Sequence, residues 1–280
     1  MVPNIELSDS TDIPQIGFGT FLVPPDETAR VVTEALEVGY RHIDTAQGYG
    51  NEEGVGEAVR RSGLAREDVY LTSKLTNSKH APDDVRSSFE ETLEKLGVDY
   101  LDLFLIHWPL PTRYDGDFVS TWEAMLGLLD DGRLRSAGVS NFEPDHLERI
   151  IGATGRAPVV NQVEVHPYFG NEAVRSACAS HGIAVEAWGP LGQGKSGVLE
   201  DPAVLDAARA HGKTPAQAIL RWHLQRGDII FPKSMHRERM AENFDILDFA
   251  LTAEEVAAID ALDKGASGRV GPDPKTFDRV

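Results

Sequence analysis

The chain has 280 residues, 41% hydrophobic and 26% charged, with a formal net charge of −18. That length suits one α/β barrel of about 250 residues, and the composition is that of a soluble globular protein. The acidic excess argues against nucleic acid and anionic membranes as partners, the single cysteine (Cys178) excludes an intrachain disulfide, and no apolar run approaches the ~20 residues that cross a bilayer.

In chain order, the N-terminal MVPNIELSDSTDIP lacks the apolar core of a signal peptide, so a cytoplasmic location is expected, with the chain acting as a monomer. IELSDSTDIPQI reads as a polar-turn hairpin and PQIGFG as a strand. PDETARVVTEALEVG reads as a helix with Asp26 as its N-cap. RHIDTA is the next strand, followed by the helix EEGVGEAVRRSG. The strands continue as DVYLTSKL, YLDLFLIHW, LRSAGVS, VVNQVEV, IAVEAWG and DIIFPKS. Between them fall the helices DVRSSFEETLEKLG, VSTWEAMLGLLDDG, DHLERIIGATG, EAVRSACASHG, TPAQAILRWHLQRG and RERMAENFDIL.

The pattern gives about eight strand–helix units in one domain over 1–280. The strands are apolar on both faces, as in a parallel sheet covered by helices. Eight such units close into a (β/α)₈ TIM barrel, an α/β fold, here with an N-terminal β-hairpin and a C-terminal tail. An open doubly wound sheet is the alternative. It is disfavoured because GFGTFL at 17–22 supplies only two of the glycines of GxGxxG and opens no helix.

Functional groups of a (β/α)₈ barrel sit at the C-terminal ends of its strands. Those ends carry Asp44, Lys74, His107, Ser140 with Asn141, Gln162, Trp188, and Lys233 with Ser234. Singly, several have ordinary readings: Asp44 as a turn cap, Lys74 as a solvated lysine, Tyr49 as a loop aromatic, His107 as a core histidine. Together they describe proton delivery by a phenol. Free tyrosine titrates near ~10, and a nearby ammonium lowers that value. Lys74 is expected to provide the ammonium and Asp44 to keep it charged. Tyr49 then protonates a carbonyl oxygen, while His107 orients the carbonyl or shares the proton.

A phenol delivers no hydride, so the reaction needs a nicotinamide. Ser140, Asn141 and Gln162 have the groups to hold a carboxamide, and Trp188 can stack on a ring. GPLGQGK at 189–195 can offer backbone N–H groups to a pyrophosphate. Lys233, Ser234, His236, Arg237 and Arg239 collect cations at a strand end and helix start, where anions are favoured.

EVGYRHIDTA, YGNEEGVG, IHWP, GVSNF, NQVEVHP and KS…R…EN together resemble the aldo-keto reductases. The stretch from WGPLGQGK through HGKTPAQAILRWHLQ to FPKS is similar to the bacterial 2,5-diketo-D-gluconate reductase branch. The resemblance implies an NADPH-dependent oxidoreductase that reduces small aldehydes, ketones or dicarbonyls. It makes Tyr49 the proton donor, tuned by Lys74 and Asp44, with His107 on the carbonyl. It implies cofactor contacts from Gly19, Thr20, Ser140, Asn141, Gln162, Trp188, Gly189, Leu191, Gly192, Gln193 and Met235. Lys233, Ser234 and Arg239 are expected on the 2′-phosphate, and Glu242 and Asn243 near the adenine. No acid is placed for a free ribose 2′-hydroxyl, so NADPH is expected over NADH.

Phe21, Leu22, Gln47, Tyr49, His107 and Trp108 are expected around the substrate, with Trp188 and the C-terminal tail completing the mouth. Arg269 is a candidate for an anionic substrate group. PLPTRYDGDF is short for the family, which implies an open pocket. A nicotinamide-binding sensor on the same barrel is a second reading, disfavoured because binding alone does not require all four ionisable residues. A metal-dependent hydrolase is disfavoured because the nine histidines show no HxH or HExxH spacing, so no metal is expected.

Overall fold

In a computed structural model, which describes residues 2–280, two short strands open the chain. β1 (Asn4–Glu6) and β2 (Asp12–Pro14) pair antiparallel as the expected hairpin. Eight parallel strands follow: β3 (Phe18–Gly19), β4 (His42–Asp44), β5 (Tyr70–Leu75), β6 (Leu101–Ile106), β7 (Leu134–Ser140), β8 (Val160–Glu164), β9 (Ala184–Trp188) and β10 (Ile229–Ile230). They pair in chain order. A parallel bridge between Ile16 and Ile230 closes the ring, with Gly17 N–H donating to Ile230 O at 2.8 Å and Ile230 N–H to Gln15 O at 3.0 Å. The (β/α)₈ barrel is therefore present, and the open-sheet alternative is not.

The helices are α1 (Pro25–Val38), α2 (Glu52–Arg61), α3 (Pro82–Leu96), α4 (Val119–Gly127), α5 (Pro144–Thr154), α6 (Glu172–Ser180), α7 (Pro202–Ala210), α8 (Pro215–Gln225), α9 (Arg237–Phe244) and α10 (Ala253–Asp260). Helix α1 occupies the expected segment, but its cap is Pro24 rather than Asp26. Pro25, whose fixed φ suits the first helical position, starts it after Pro24, so Asp26 lies in the first turn rather than at the cap. There its charge still complements the positive helix end. Helices α7 and α10 stand outside the strand–helix repeat and were not expected. Both had readable starts: Asp201 accepts from Ala203 N–H, and Thr252 with Glu255 forms a capping box.

Alternation along the strands sorts the core into two shells. An outer cluster joins strands to helices through residues such as Ile43, Leu71, Phe104 and Ile106. A smaller inner cluster of Leu103, Leu105, Val160, Ile229 and Phe231 fills the barrel, and Leu7 and Ile13 of the hairpin segment belong to it. The hairpin thus packs onto the barrel core as a plug. Above this apolar filling, the inward positions nearer the C-terminal strand ends are polar.

Candidate active site

Lys74 sits at the centre of these polar positions, fully buried on β5. Its ammonium donates to Asp44 Oδ1 at 2.7 Å and Oδ2 at 2.8 Å, to Thr45 O at 2.9 Å, and to Tyr49 Oη at 3.3 Å. A lysine has three N–H donors, and this geometry occupies all of them. Asp44 reaches Lys74 from the neighbouring strand, whose Asp44–Thr72 register sets the two side chains on one inward face. Tyr49 follows on a single 3₁₀ turn, Gln47–Tyr49. Its ring lies 5.7 Å from the His107 ring at 75°, and 5.1 Å from Phe21. The structure therefore brings Asp44, Tyr49, Lys74 and His107 together.

The electrostatics refine the expected chemistry. Burial would pull the Lys74 ammonium down, but Asp44 and Tyr49 outweigh it and the group stays charged, above its ordinary value. The Tyr49 phenol is pushed up, not down. Burial raises it further than the Lys74 charge and hydrogen bond lower it. Tyr49 thus carries its proton at neutral pH, and because Lys74 donates to the phenol oxygen, that proton points elsewhere. Burial, reinforced by the Lys74 charge, pushes His107 down to about 3, so its imidazole is neutral.

Several supporting residues escaped the sequence reading. Thr45 supplies a carbonyl to Lys74. Asn51 donates to Thr20 O and Val23 O and accepts from Thr45 Oγ1, tying the loop after β3 to the tyrosine turn. Glu186, fully buried on β9, accepts from Gln162 Nε2 at 2.9 Å, and the same nitrogen donates to Asp44 Oδ2 at 2.9 Å. A lone acid within the apolar run IAVEAWG was a readable sign of an inward buried carboxyl.

The expected cofactor residues line one arc of the strand ends. Ser140 Oγ donates to Gln162 O at 2.8 Å; Asn141 Nδ2 donates to His107 O and Ser140 Oγ, and Asn141 Oδ1 accepts from Trp188 Nε1 at 2.8 Å. Their oxygens keep spare lone pairs for a carboxamide. Gln162 is more committed, since both its N–H groups are spent within the protein. Thr20 is fully buried, with its hydroxyl on Asp44 O at 3.0 Å, and Gly19 pairs with Asp44 in register. Both brace the Asp44 backbone.

Gly189, Gly192, Gln193, Gly194 and Gly197 all take positive φ, so the loop with Leu191 turns back repeatedly on itself, a concave backbone suited to anions. Beyond β10, Lys233 and Arg239 are exposed, with no carboxylate at ion-pair distance among the described residues, while Arg237 is paired with Glu37. Ser234 and Asn243 are buried beside them, Met235 is half-buried, and Glu242 accepts from Thr214 Oγ1 at 2.8 Å. Free cations at one end, a left-handed glycine loop in the middle and a half-buried Trp188 at the other match the charge order of a phosphorylated dinucleotide.

At the mouth, Phe21 and Leu22 are 47% and 72% exposed, and Leu22 is held at φ 59°, a strained conformation for such a residue. The Trp108 ring lies 4.1 Å from that of Phe277 of the tail, tilted by 32°, and Asn77 Nδ2 donates to Arg279 O. The tail is also pinned at Val270 and Gly271, whose N–H groups donate to Glu164 at 2.6 and 2.9 Å.

Two expectations about the mouth change. Gln47 does not face the mouth: it donates to Ser88 O and Thr92 Oγ1 and accepts from Thr76 N–H, which fixes the tyrosine turn to α3 and the end of β5. Arg269 is not free for an anion. It donates to Glu143 at 3.3 Å and lies 4.6 Å over the Phe169 ring. Among the described residues no group of three or more His, Cys, Asp or Glu is arranged to hold a metal ion, and no helix is long and apolar enough to cross a membrane.

Residues 15–264 match the sequence pattern of the Aldo/keto reductase family. An aldo-keto reductase of Mycobacterium sp. (strain KMS) is 50% identical over 98% of each chain. Methylglyoxal reductase DkgA of Yersinia pestis is 45% identical over 99% of this chain and 98% of its own. A crystal structure of a Gox0644 mutant in complex with NADPH superposes with a TM-score of 0.93, at 45% identity over 99% of each chain.

Proposed function

The chain belongs to the aldo/keto reductase family, and from that premise we propose that it is a reductase of small aldehydes, ketones and dicarbonyls in which Tyr49 is the general acid. The observation that carries this reading is the Lys74 ammonium, which reaches Asp44, Thr45 O and the Tyr49 hydroxyl at once.

NADPH, when bound, supplies the hydride. Lys233 and Arg239 would meet its 2′-phosphate, Gly189 to Gln193 its pyrophosphate, and Trp188, Ser140 and Asn141 its nicotinamide. NADPH in the Gox0644 complex and the name of the methylglyoxal reductase relative support the cofactor and the substrate class. Neutral His107 offers its ring N–H to the carbonyl oxygen. That hydrogen bond holds the oxygen beside Tyr49 and polarises the carbon. Tyr49 gives up its proton as charge grows on the oxygen, and the Lys74 ammonium stabilises the phenolate left behind. Asp44 keeps that ammonium charged throughout. Phe21, Leu22 and Trp108 give the carbonyl an apolar rim, which suits small substrates with modest apolar groups.

Mixing the protein with NADPH and a carbonyl panel that includes methylglyoxal should consume the cofactor, read by absorbance at about 340 nm. Tight NADPH binding without turnover of any member would instead support a sensor. Arg239→Ala should raise the KM for NADPH by about tenfold or more while leaving that for NADH within about twofold, since a phosphate contact exists only in the former. An equal rise for both would remove Arg239 from the 2′-phosphate site.

A further inference from the structure

Glu186 has no part in the reaction just described, yet it is buried directly behind it. Gln162 and Glu186 are register partners on β8 and β9. The Gln162 amide has two N–H donors, and Asp44 Oδ2 and Glu186 Oε2 lie equally far from its nitrogen, at 2.9 Å. Flipping the amide would aim its oxygen at the Asp44 carboxylate, which has no proton to offer, and break that bond. Glu186 Oε1 has no hydrogen-bond partner among the described residues, so a charge on this carboxyl is stabilised only by the Gln162 bond to Oε2 and by the Lys74 charge, and burial outweighs both.

We propose that Glu186 is a positioning residue of the reductase site: as a neutral acid it locks the Gln162 amide onto Asp44 and leaves Gln162 Oε1 for the cofactor, and as a carboxylate it weakens Tyr49 as a proton donor. This rests on Tyr49 being the general acid.

Burial, with the Asp44 charge behind it, pushes the Glu186 carboxyl up to about 8. The ionisable groups acting on it are Asp44 from β4 and Lys74 and Tyr70 from β5. Tyr70 is driven well above its ordinary range by burial and by Glu186 itself. Lys74 is also raised, because its partners outweigh burial, so neither titrates near neutrality. Below about 8 Glu186 is therefore uncharged. Above it, a second negative charge stands one amide away from Asp44. That charge stabilises the protonated phenol, so carbonyl reduction should slow as pH rises through about 8, before Tyr49 itself titrates.

Two variants separate positioning from simple packing. Glu186→Gln keeps the acceptor facing Gln162, has the shape of the neutral acid and cannot ionise. Its kcat at neutral pH should fall by less than about fivefold, while the alkaline decline in kcat moves up by about one pH unit or more. Glu186→Leu removes the acceptor, and its kcat at neutral pH should fall about tenfold or more. An alkaline limb in E186Q that coincides with wild type overturns the proposal, and E186Q, being isosteric, keeps that test available if E186L fails to fold. Infrared spectra read the group directly, without turnover. Wild type should show a protonated-carboxyl band at neutral pH that E186Q lacks and that fades as pH rises through about 8. No such band overturns the proposal even if the carbonyl panel is reduced normally. The band without any carbonyl reduction would leave the buried neutral acid in place but overturn both the general-acid reading and the catalytic role proposed here.

Discussion

Tyr49→Phe lowers kcat by about a hundred- to ten-thousand-fold, the usual contribution of a positioned general acid, while the Kd for NADPH stays within about twofold. The expectation is this selective because the substitution removes one atom. Phenylalanine keeps the ring contacts at 5.1 Å to Phe21 and 5.7 Å to His107, and Lys74 keeps Asp44 and Thr45 O. Only the hydroxyl is lost, with its transferable proton and the hydrogen bond it accepts from Lys74. His107 cannot take over as an imidazolium acid, because burial and the Lys74 charge leave it neutral, pushed down to about 3. Steady-state rates with NADPH and fluorescence titration of the cofactor check the two halves separately. Activity within about threefold of wild type would assign the proton to another group.

Lys74→Met should cost both activity and stability. Lys74 is fully buried and Asp44 is only 4% exposed. Removing the ammonium strands the Asp44 carboxylate, a change that typically costs about 3–5 kcal/mol out of a total of roughly 5–15. The urea midpoint should fall accordingly, and kcat should fall as in Tyr49→Phe because the phenolate loses its stabilising charge. The double variant Lys74→Met with Asp44→Leu tests the cause. It removes both charges, so most of the stability should return, less about 1 kcal/mol for the Gln162 N–H that loses its acceptor, while activity stays lost. A single variant that unfolds at the wild-type midpoint, or a double variant no more stable than the single, would show that the pair is not an obligatory buried ion pair.

Much of this site was legible because its residues end strands. Asp44, Lys74, His107, Ser140 and Trp188 each stand at or beside the end of an apolar run, and a barrel sends such positions to one face; Gln162 lies two residues before the end of β8. The brackets behind them were harder to read. Thr45 acts through its backbone carbonyl, which residue type does not reveal. Asn51 resembles an ordinary helix cap, yet its side chain makes no cap bond and spans Thr20 O, Val23 O and Thr45 Oγ1. Gln47 and Arg269 erred in the other direction. Both are polar and close in sequence to the mouth, but partners far along the chain, Ser88 and Thr92 for one and Glu143 for the other, turn them away.

Local pattern alone determined the strand–helix alternation, the barrel it closes into, the charge of the expected cofactor region and the class of reaction, because periodicity, glycine placement and residue chemistry act over a few positions. The direction of the Tyr49 shift was a different matter. From residue types, an adjacent ammonium should have lowered it. In the fold, burial of the phenol outweighs that charge, and the neutral state of Glu186 depends equally on how deeply the barrel encloses it. Desolvation is a property of the whole packed interior, contributed by strands more than a hundred residues apart, and only the tertiary structure could decide it.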